Sequence, residues 1–177
     1  MPNRQQKFWD FSIELYGRPG VAEACLELQD SYGFDVNLLL YCFWYGDCLG
    51  SFDQLLLEEL VKFSLTWKQG IVQPLRTVRR WMENQTQLVS ENQASQFQSL
   101  RERIKSEELS AEKLQQEMLE VITLKAIPAS SDTGSKAIEA NLVQLLKIYA
   151  LTAEGDIQAN LNEISLAYSL LPVSASD

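Results

Sequence analysis

The unbroken apolar run LLLYCFWY, residues 38–45, is the feature that most limits how this chain can fold. It lies inside the segment DVNLLLYCFWYGDCL, which is apolar nearly all round when drawn as a helix. A helix without a polar side has to be surrounded by other parts of the protein. The run is far too short for a bilayer, which takes about 20 apolar residues. We therefore expect a central buried helix with Asp35 as its N-cap, and no membrane span.

Helical spacing dominates the rest of the chain, and no segment alternates as a half-buried strand does. Residues 8–16 and 21–32 carry apolar stripes, and Gly17 and Gly33 follow them at positions that suit helix ends. Apolar stripes at helical spacing recur up to residue 171. The pattern predicts an all-α protein.

Two further signals divide the middle of the chain. Ser51 and Gln54 form the S-x-x-Q pattern of a capping box before a fourth helix. Gly70 and Pro74 predict a break or kink before the segment PLRTVRRWMEN. We expect residues 1–84 to form a compact N-terminal helical bundle.

Residues 85–177 are expected to add a longer helix and an αα-hairpin, either packed on the first part or loosely tethered to it. The stretch NQTQLVSENQASQFQ is either a linker or a weak start to the long helix. The long helix has heptad-like spacing, with Phe97, Ile104, Ala111 and Met118 in one column and Leu100, Leu114 and Val121 in the other. Glu107 and Lys125 interrupt this seam, which argues against a long coiled coil.

The C-terminal part ends in a predicted αα-hairpin. Residues 126–135 have the composition of a loop, and residues 172–177 are expected to fray. Between them, Gly155 suits the end of one helix and Asp156 suits the N-cap of the next.

Composition excludes several functions. The net charge of −9 argues against a nucleic-acid binder, which usually has a basic surface. The chain has no histidine, which removes the Ser-His-Asp and Cys-His mechanisms and the common zinc sites. It has no glycine-rich nucleotide loop. Three cysteines with apolar neighbours, no CxxC and no signal peptide predict buried free thiols in the cytoplasm.

The segment PLRTVRRW carries Arg76, Arg79 and Arg80 on one side of a helix. Three guanidiniums on one side can hold a phosphate or carboxylate. Alternatively, they form a solvated surface, with Arg79 paired to Glu83 and Trp81 sealing the core beside the arc Ile71, Leu75, Val78 and Met82. A third reading is a structural ion pair with a nearby acid.

Asp30 and Asp35 are the acidic candidates for such a site. Asp30 lies in the last turn of its helix, where the helix dipole disfavours a carboxylate, so a nearby arginine would explain its position. Carboxylates around the central helix can also hold Mg²⁺ against a diphosphate, but their spacing does not match D-D-x-x-D. We therefore predict no metal and no cofactor.

The many aromatic residues of the N-terminal half form either the core or an apolar pocket.

Four motifs resemble those of a known family: F-W-x-F-S with L-Y at 8–16, P-G-V with C-L-x-L-Q-D at 19–30, D-V-N-L-L-L at 35–40 and P-L-R-x-x-R-R at 74–80. The chain is similar here to small, uncharacterised proteobacterial proteins grouped as a domain of unknown function. The resemblance covers about residues 8–81. It implies a helical cytoplasmic protein and implies no activity.

These observations lead to two function hypotheses. The first is a non-enzymatic helical interaction protein, an adaptor or regulator with a protein partner. The second is a binder of, or an enzyme on, a phosphorylated or isoprenoid-like small molecule, in which Arg76, Arg79 and Arg80 hold the anion and Asp30 or Asp35 orients them or binds metal. A homodimer through the helix at 97–125 is a further possibility.

Overall fold

The computed structural model describes residues 6–124 and 132–171. Within them every regular element is helical and no strand occurs, which confirms the all-α prediction. The α-helices are α1 (Phe8–Tyr16), α2 (Val21–Tyr32), α3 (Val36–Cys48), α4 (Gln54–Trp67), α5 (Gln73–Glu83), α6 (Ala94–Thr123), α7 (Ser135–Ile148) and α8 (Gly155–Ser169). Most of the predicted loop at 126–135 and the predicted fraying at 172–177 lie outside the described residues.

Helix α3 lies at the centre, as its composition predicts. Its residues from Leu38 to Cys48 are all buried, and α1, α2, α4, α6 and α7 pack around it. Asp35 caps it, accepting hydrogen bonds from the backbone N–H groups of Asn37 and Leu38 at 2.9 and 3.3 Å. Helix α7 approaches closely because Gly46 has no side chain, and the Gly134 N–H donates to the Gly46 carbonyl at 2.9 Å.

The predicted helix ends are confirmed in one part of the chain and wrong in another. Gly17 and Gly33 end α1 and α2, and Gly33 adopts the left-handed conformation with φ 75°. The predicted capping box of Ser51 and Gln54 is wrong. Asp53 caps α4 instead, because it lies directly before the helix, two residues nearer than Ser51, and its side chain accepts from the Leu55 N–H at 2.8 Å.

The chain does not break between α4 and α5. Residues Lys68–Val72 form a π-helical segment that carries α4 directly into α5. A π turn takes up an extra residue without ending the helix. Pro74 follows it, where the wider π turn has already changed the hydrogen-bonding pattern. The result is one long arm of helix from Gln54 to Glu83.

Helix α6 returns antiparallel to this arm. The stretch NQTQLVSENQASQFQ forms two 3₁₀ turns, Thr86–Leu88 and Glu91–Gln93, and its last five residues begin α6, so its reading as a start of the long helix is confirmed for that part. Of the predicted heptad columns, only Ala111 is buried. The buried side of α6 carries mainly polar residues, namely Glu108, Gln115, Gln116 and Thr123, together with Leu119.

The last two helices pack on the central ones, α7 on α3 and α8 on α2. The predicted caps between them are wrong. Helix α7 ends at Ile148, Ala150 takes the left-handed turn with φ 54°, and Gly155 is already the first residue of α8. One apolar core contains residues from both predicted parts of the chain, and the division at residue 84 stays a prediction. No helix in the described ranges is long and apolar enough to span a membrane.

Candidate functional site

Arg76 lies in a polar cluster between α5 and α6, hydrogen-bonded on three sides. Its Nε donates to Glu108 Oε1 at 2.8 Å and its Nη2 donates to Glu112 Oε1 at 2.6 Å. Its Nη1 donates to Gln29 Oε1 of α2, also at 2.8 Å. Only 11% of the Arg76 side chain is exposed. The guanidinium therefore ties together three helices, and two carboxylates balance its charge.

Arg79 binds the other oxygen of the same carboxylate, with its Nε 2.6 Å from Glu108 Oε2. Burial acts to raise the pKa of Glu108, but hydrogen bonds from Arg79 and Arg76 outweigh it, and the net pKa is lowered. The pKa of Glu112 is raised, because its burial outweighs the attraction of Arg76. Two cations therefore meet two carboxyl groups, and the cluster has little charge left for an external anion.

The third arginine is exposed. Arg80 Nη2 lies 4.0 Å from Asp30 Oδ1, and both side chains are more than half exposed. The predicted pairing of Asp30 with one of the arginines is confirmed, although a pair this exposed contributes little stability. The predicted Arg79–Glu83 pair is replaced by a contact across the hairpin, in which Arg101 donates to Glu83 at 2.8 Å.

The structure also reverses the expected orientation of α5. Arg76 and Arg79 are largely buried, so the reading of all three arginines as a solvated surface is wrong for these two. Trp81 is 53% exposed, so the reading of its ring as sealing the core is wrong as well. Of the apolar arc, only Met82 is buried. The reason is that the arginines occupy the side of α5 that faces α6, which turns most of the apolar side outward.

Helix α6 also has two different sides on either side of Glu108, one beside a crevice and one away from it. With about 100° of rotation per residue, Leu109 and Glu112 lie on one side of Glu108, next to a crevice that α1 and α2 also line. Leu100 and Met118 lie on the opposite side. On α5, the contacts of Arg76 and Arg80 with α2 mark the crevice side, and Val78 lies on the other.

The outward sides of α5 and α6 form one surface, because the two helices are antiparallel neighbours. We call this surface the apolar face. Its members are between 36% and 51% exposed: Ile71, Val78, Leu100, Leu114, Met118 and Val121. The hairpin thus buries the charged groups of Arg76, Arg79 and Glu108 while several large apolar side chains stay exposed, with Glu107 interrupting them on α6.

Asp35 has a structural environment. Beyond capping α3, its Oδ2 accepts from Ser64 Oγ at 2.7 Å and from Gln115 Nε2 at 2.9 Å. Asn37 continues this network by donating to Gln115 and accepting from Gln116. The network joins α3, α4 and α6, and Asp35 makes its hydrogen bonds there and not with the arginines.

A crevice of about 400 Å³ opens beside the cluster. Its lining includes the apolar residues Trp9, Ile13, Leu26 and Leu109 and the charged residues Arg76 and Glu112. The other aromatic residues of the N-terminal half are mainly core, among them Phe8, Phe11, Tyr41, Phe43 and Tyr45. Whether the three arginines, Asp30 and Asp35 bind an anion stays a prediction.

No group of three or more Cys, Asp and Glu side chains within residues 6–124 and 132–171 is placed to hold a metal ion. The three cysteines are free and buried, as predicted. Burial raises the pKa of the Cys25 thiol to about 12, and burial with the nearby charge of Asp47 does the same for Cys48. These thiols are therefore unreactive in the folded state.

The fold and the site define an all-α protein whose hairpin of α5 and α6 joins the bundle through charged and polar groups. The chain belongs to the family described as "Protein of unknown function (DUF2390)", whose family model matches residues 7–119. This confirms the resemblance to a domain of unknown function. Comparisons with curated proteins and with solved structures find no match.

Sequence reasoning found the arginines but missed their partners, Glu108 and Glu112, which lie some 30 residues further along the chain. A usable signal was present. Two arginines one turn apart on α5 face two glutamates one turn apart on an adjacent helix. The exposed seam of α6 was visible as a heptad pattern without an assigned partner.

Proposed function

We propose that this protein works by binding another protein chain, as a non-enzymatic helical adaptor or regulator in the cytoplasm. The apolar face of the α5–α6 hairpin is its docking surface. The observation that carries this proposal is that the hairpin buries charged groups while several large apolar side chains stay exposed. Large contiguous apolar patches are uncommon on the surface of proteins that act alone, and they commonly mark protein interaction sites.

The spacing on α6 suits recognition of another helix. Leu114, Met118 and Val121 follow one another at i, i+4 and i+7, which is the anchor pattern of helix-to-helix docking. The charged cluster around Glu108 supports this use, because it holds the hairpin in place without drawing on the apolar side chains. The apolar face is therefore available to bind another chain without loss of the fold.

The test is site-specific photo-crosslinking in the producing cell. A photoreactive residue at Leu100 or Leu114 is expected to give adducts of discrete mass. The same residue at Glu102 or Lys105 is the control, since these exposed positions on α6 lie outside the apolar face. Equal yields from all four positions, or none from the face, would contradict the proposal. Catalytic turnover that follows the wild-type protein through purification would contradict its non-enzymatic part.

A second candidate function is the binding of a phosphorylated or isoprenoid-like small molecule. The crevice supports it, because apolar Trp9, Ile13 and Leu26 line it together with Arg76. Against it, all three nitrogens of Arg76 already donate hydrogen bonds, so an anion would have to displace a carboxylate. We therefore rank it below protein binding.

A further inference from the structure

We infer that the occupant of the apolar face is a second copy of this chain, in an antiparallel homodimer with its twofold axis beside Ser110. This inference rests on the proposed docking function of the face. A twofold interface uses the same surface on both subunits, so that surface has to match its own reversed image. Charge, apolar side chains and side-chain size on α6 all meet this requirement about the same point.

The charged residues of α6 are the first feature that is symmetric about Ser110. Arg103 and Glu117 lie seven residues before and seven residues after Ser110, on the outer edge of the apolar face. Both are exposed, and neither has an ion-pair partner among the described residues. When two α6 helices pair antiparallel about Ser110, Arg103 lies level with Glu117 of the partner subunit. The symmetry repeats this pair, which gives two complementary contacts.

The apolar side chains match about the same axis. Leu100 lies ten residues before Ser110 and Val121 lies eleven residues after it. Leu100 therefore meets Val121 of the partner subunit at both ends of the interface. Ser110 itself is small, which lets the two helices approach closely at the axis.

Helix α5 extends the same arrangement. The pairs Arg79–Glu108 and Glu83–Arg101 fix the level of α5 along α6. By this register Leu75 lies level with Ser110, close to the axis. Leu75 is half-buried, and exposed Ile71 and Val78 flank it by about one turn on either side. Two hairpins placed face to face thus form a four-helix bundle with α5 and α6 from each subunit.

A parallel pairing does not fit. In register, it places Arg103 beside Arg103 of the partner subunit and Glu107 beside Glu107 of the partner subunit. Like charges at such positions repel. In the antiparallel pairing, Glu107 instead lies level with position 113 of the partner subunit, about 9 Å along the helix axis from the partner subunit's Glu107.

The test is the dissociation constant of the purified full chain by sedimentation, for variants at Arg103 and Glu117. Wild type is expected to be dimeric at about 100 µM. Arg103→Glu and Glu117→Arg each break two ion pairs and create two repulsions, so each should raise the dissociation constant about tenfold or more. The double variant R103E/E117R restores both pairs and should return to within about threefold of wild type.

Two further variants complete the series. Lys105→Glu makes the same change of charge as R103E, but on the crevice side of α6, and is expected to leave the dimer unchanged. Glu107→Leu fills the gap in the apolar seam and should tighten the dimer about tenfold. Circular dichroism melting of each variant shows that it is folded. A monomeric wild type, a double variant no better than the single ones, or a K105E effect equal to that of R103E would overturn the inference.

The crosslinking adducts separate this inference from the proposed function. An adduct from Leu100 that contains two copies of the chain supports the homodimer. An adduct that contains only a different protein overturns the homodimer and leaves the docking function of the face intact. The absence of any adduct from the face would count against both.

Discussion

Replacing Glu108 by glutamine should destabilise the fold by about 3 kcal/mol. Glu108 is 8% exposed and accepts hydrogen bonds from Arg76 and Arg79. Glutamine keeps the shape and one acceptor oxygen, but its amide group then faces the Nε–H of one arginine, so two donors meet. Removing one partner of a buried ion pair costs about 3–5 kcal/mol. The low end applies, because Arg79 is 20% exposed and Glu112 still neutralises Arg76.

The assay is reversible urea and thermal unfolding at neutral pH. A loss of about 3 kcal/mol corresponds to a fall in the melting temperature of about 6–12 °C for a chain of this length. Glu102→Gln is the matched control on the same helix, because Glu102 is 52% exposed and should cost less than about 0.5 kcal/mol. A loss below about 1 kcal/mol for Glu108→Gln would refute a structural role for the cluster.

The pH dependence gives a second check. The pKa of Glu108 is lowered in the folded state, so the ionised carboxylate stabilises the fold. This stability is present above the carboxyl group's ordinary value of 4.5 and is lost as the pH falls through the lower folded-state pKa. Glutamine does not titrate. The stability difference between wild type and Glu108→Gln should therefore narrow as the pH falls below 4.5, and a constant difference would contradict the assignment.

Three other outcomes are expected. Gly46→Ala should cost about 3 kcal/mol in urea unfolding, because the new Cβ would lie 2.7 Å from the backbone nitrogen of Ile138, whereas Gly70→Ala, with no atom within 4 Å, should cost nothing. A thiol reagent at pH 8 should modify the native protein only as fast as it opens, since burial raises the pKa of Cys25 to about 12; immediate labelling of the folded chain would be inconsistent with this. Diphosphate, with or without Mg²⁺, should not raise the melting temperature, although a ligand at ~100 times its Kd adds about 2.7 kcal/mol. A shift that vanishes in a folded Arg76/Arg79/Arg80→Ala variant would favour the small-molecule candidate instead.

Much of the N-terminal fold could be predicted. The central position of α3 follows from its lack of a polar side, and Gly33 and Asp35 end α2 and begin α3 as expected. Sequence patterns predict these helix positions and ends correctly because each pattern depends on residues within one or two turns of each other. The predicted capping box at Ser51 was wrong for a related reason, since Asp53, directly before α4, caps the helix by accepting from the Leu55 N–H.

The candidate site was less predictable. Periodicity shows which side chains share a side of a helix, but not which side faces inward. On α5 an apolar arc and an arginine arc compete for the interior, and the arginines prevail because Glu108 and Glu112 meet them from α6. That outcome depends on contacts between residues far apart in the chain, which a single sequence does not display.

The sequence by itself determined the all-helical fold, the buried central helix, the free thiols and the lack of histidine chemistry. Each follows from the identity of residues or from their spacing over a few turns. Only the tertiary structure decided that α5 turns its arginines inward and leaves Trp81 and Val78 exposed, with Leu100 and Leu114 on the same outer surface. The physical reason is that a buried charge needs a partner, and the position of that partner is set by how distant helices pack.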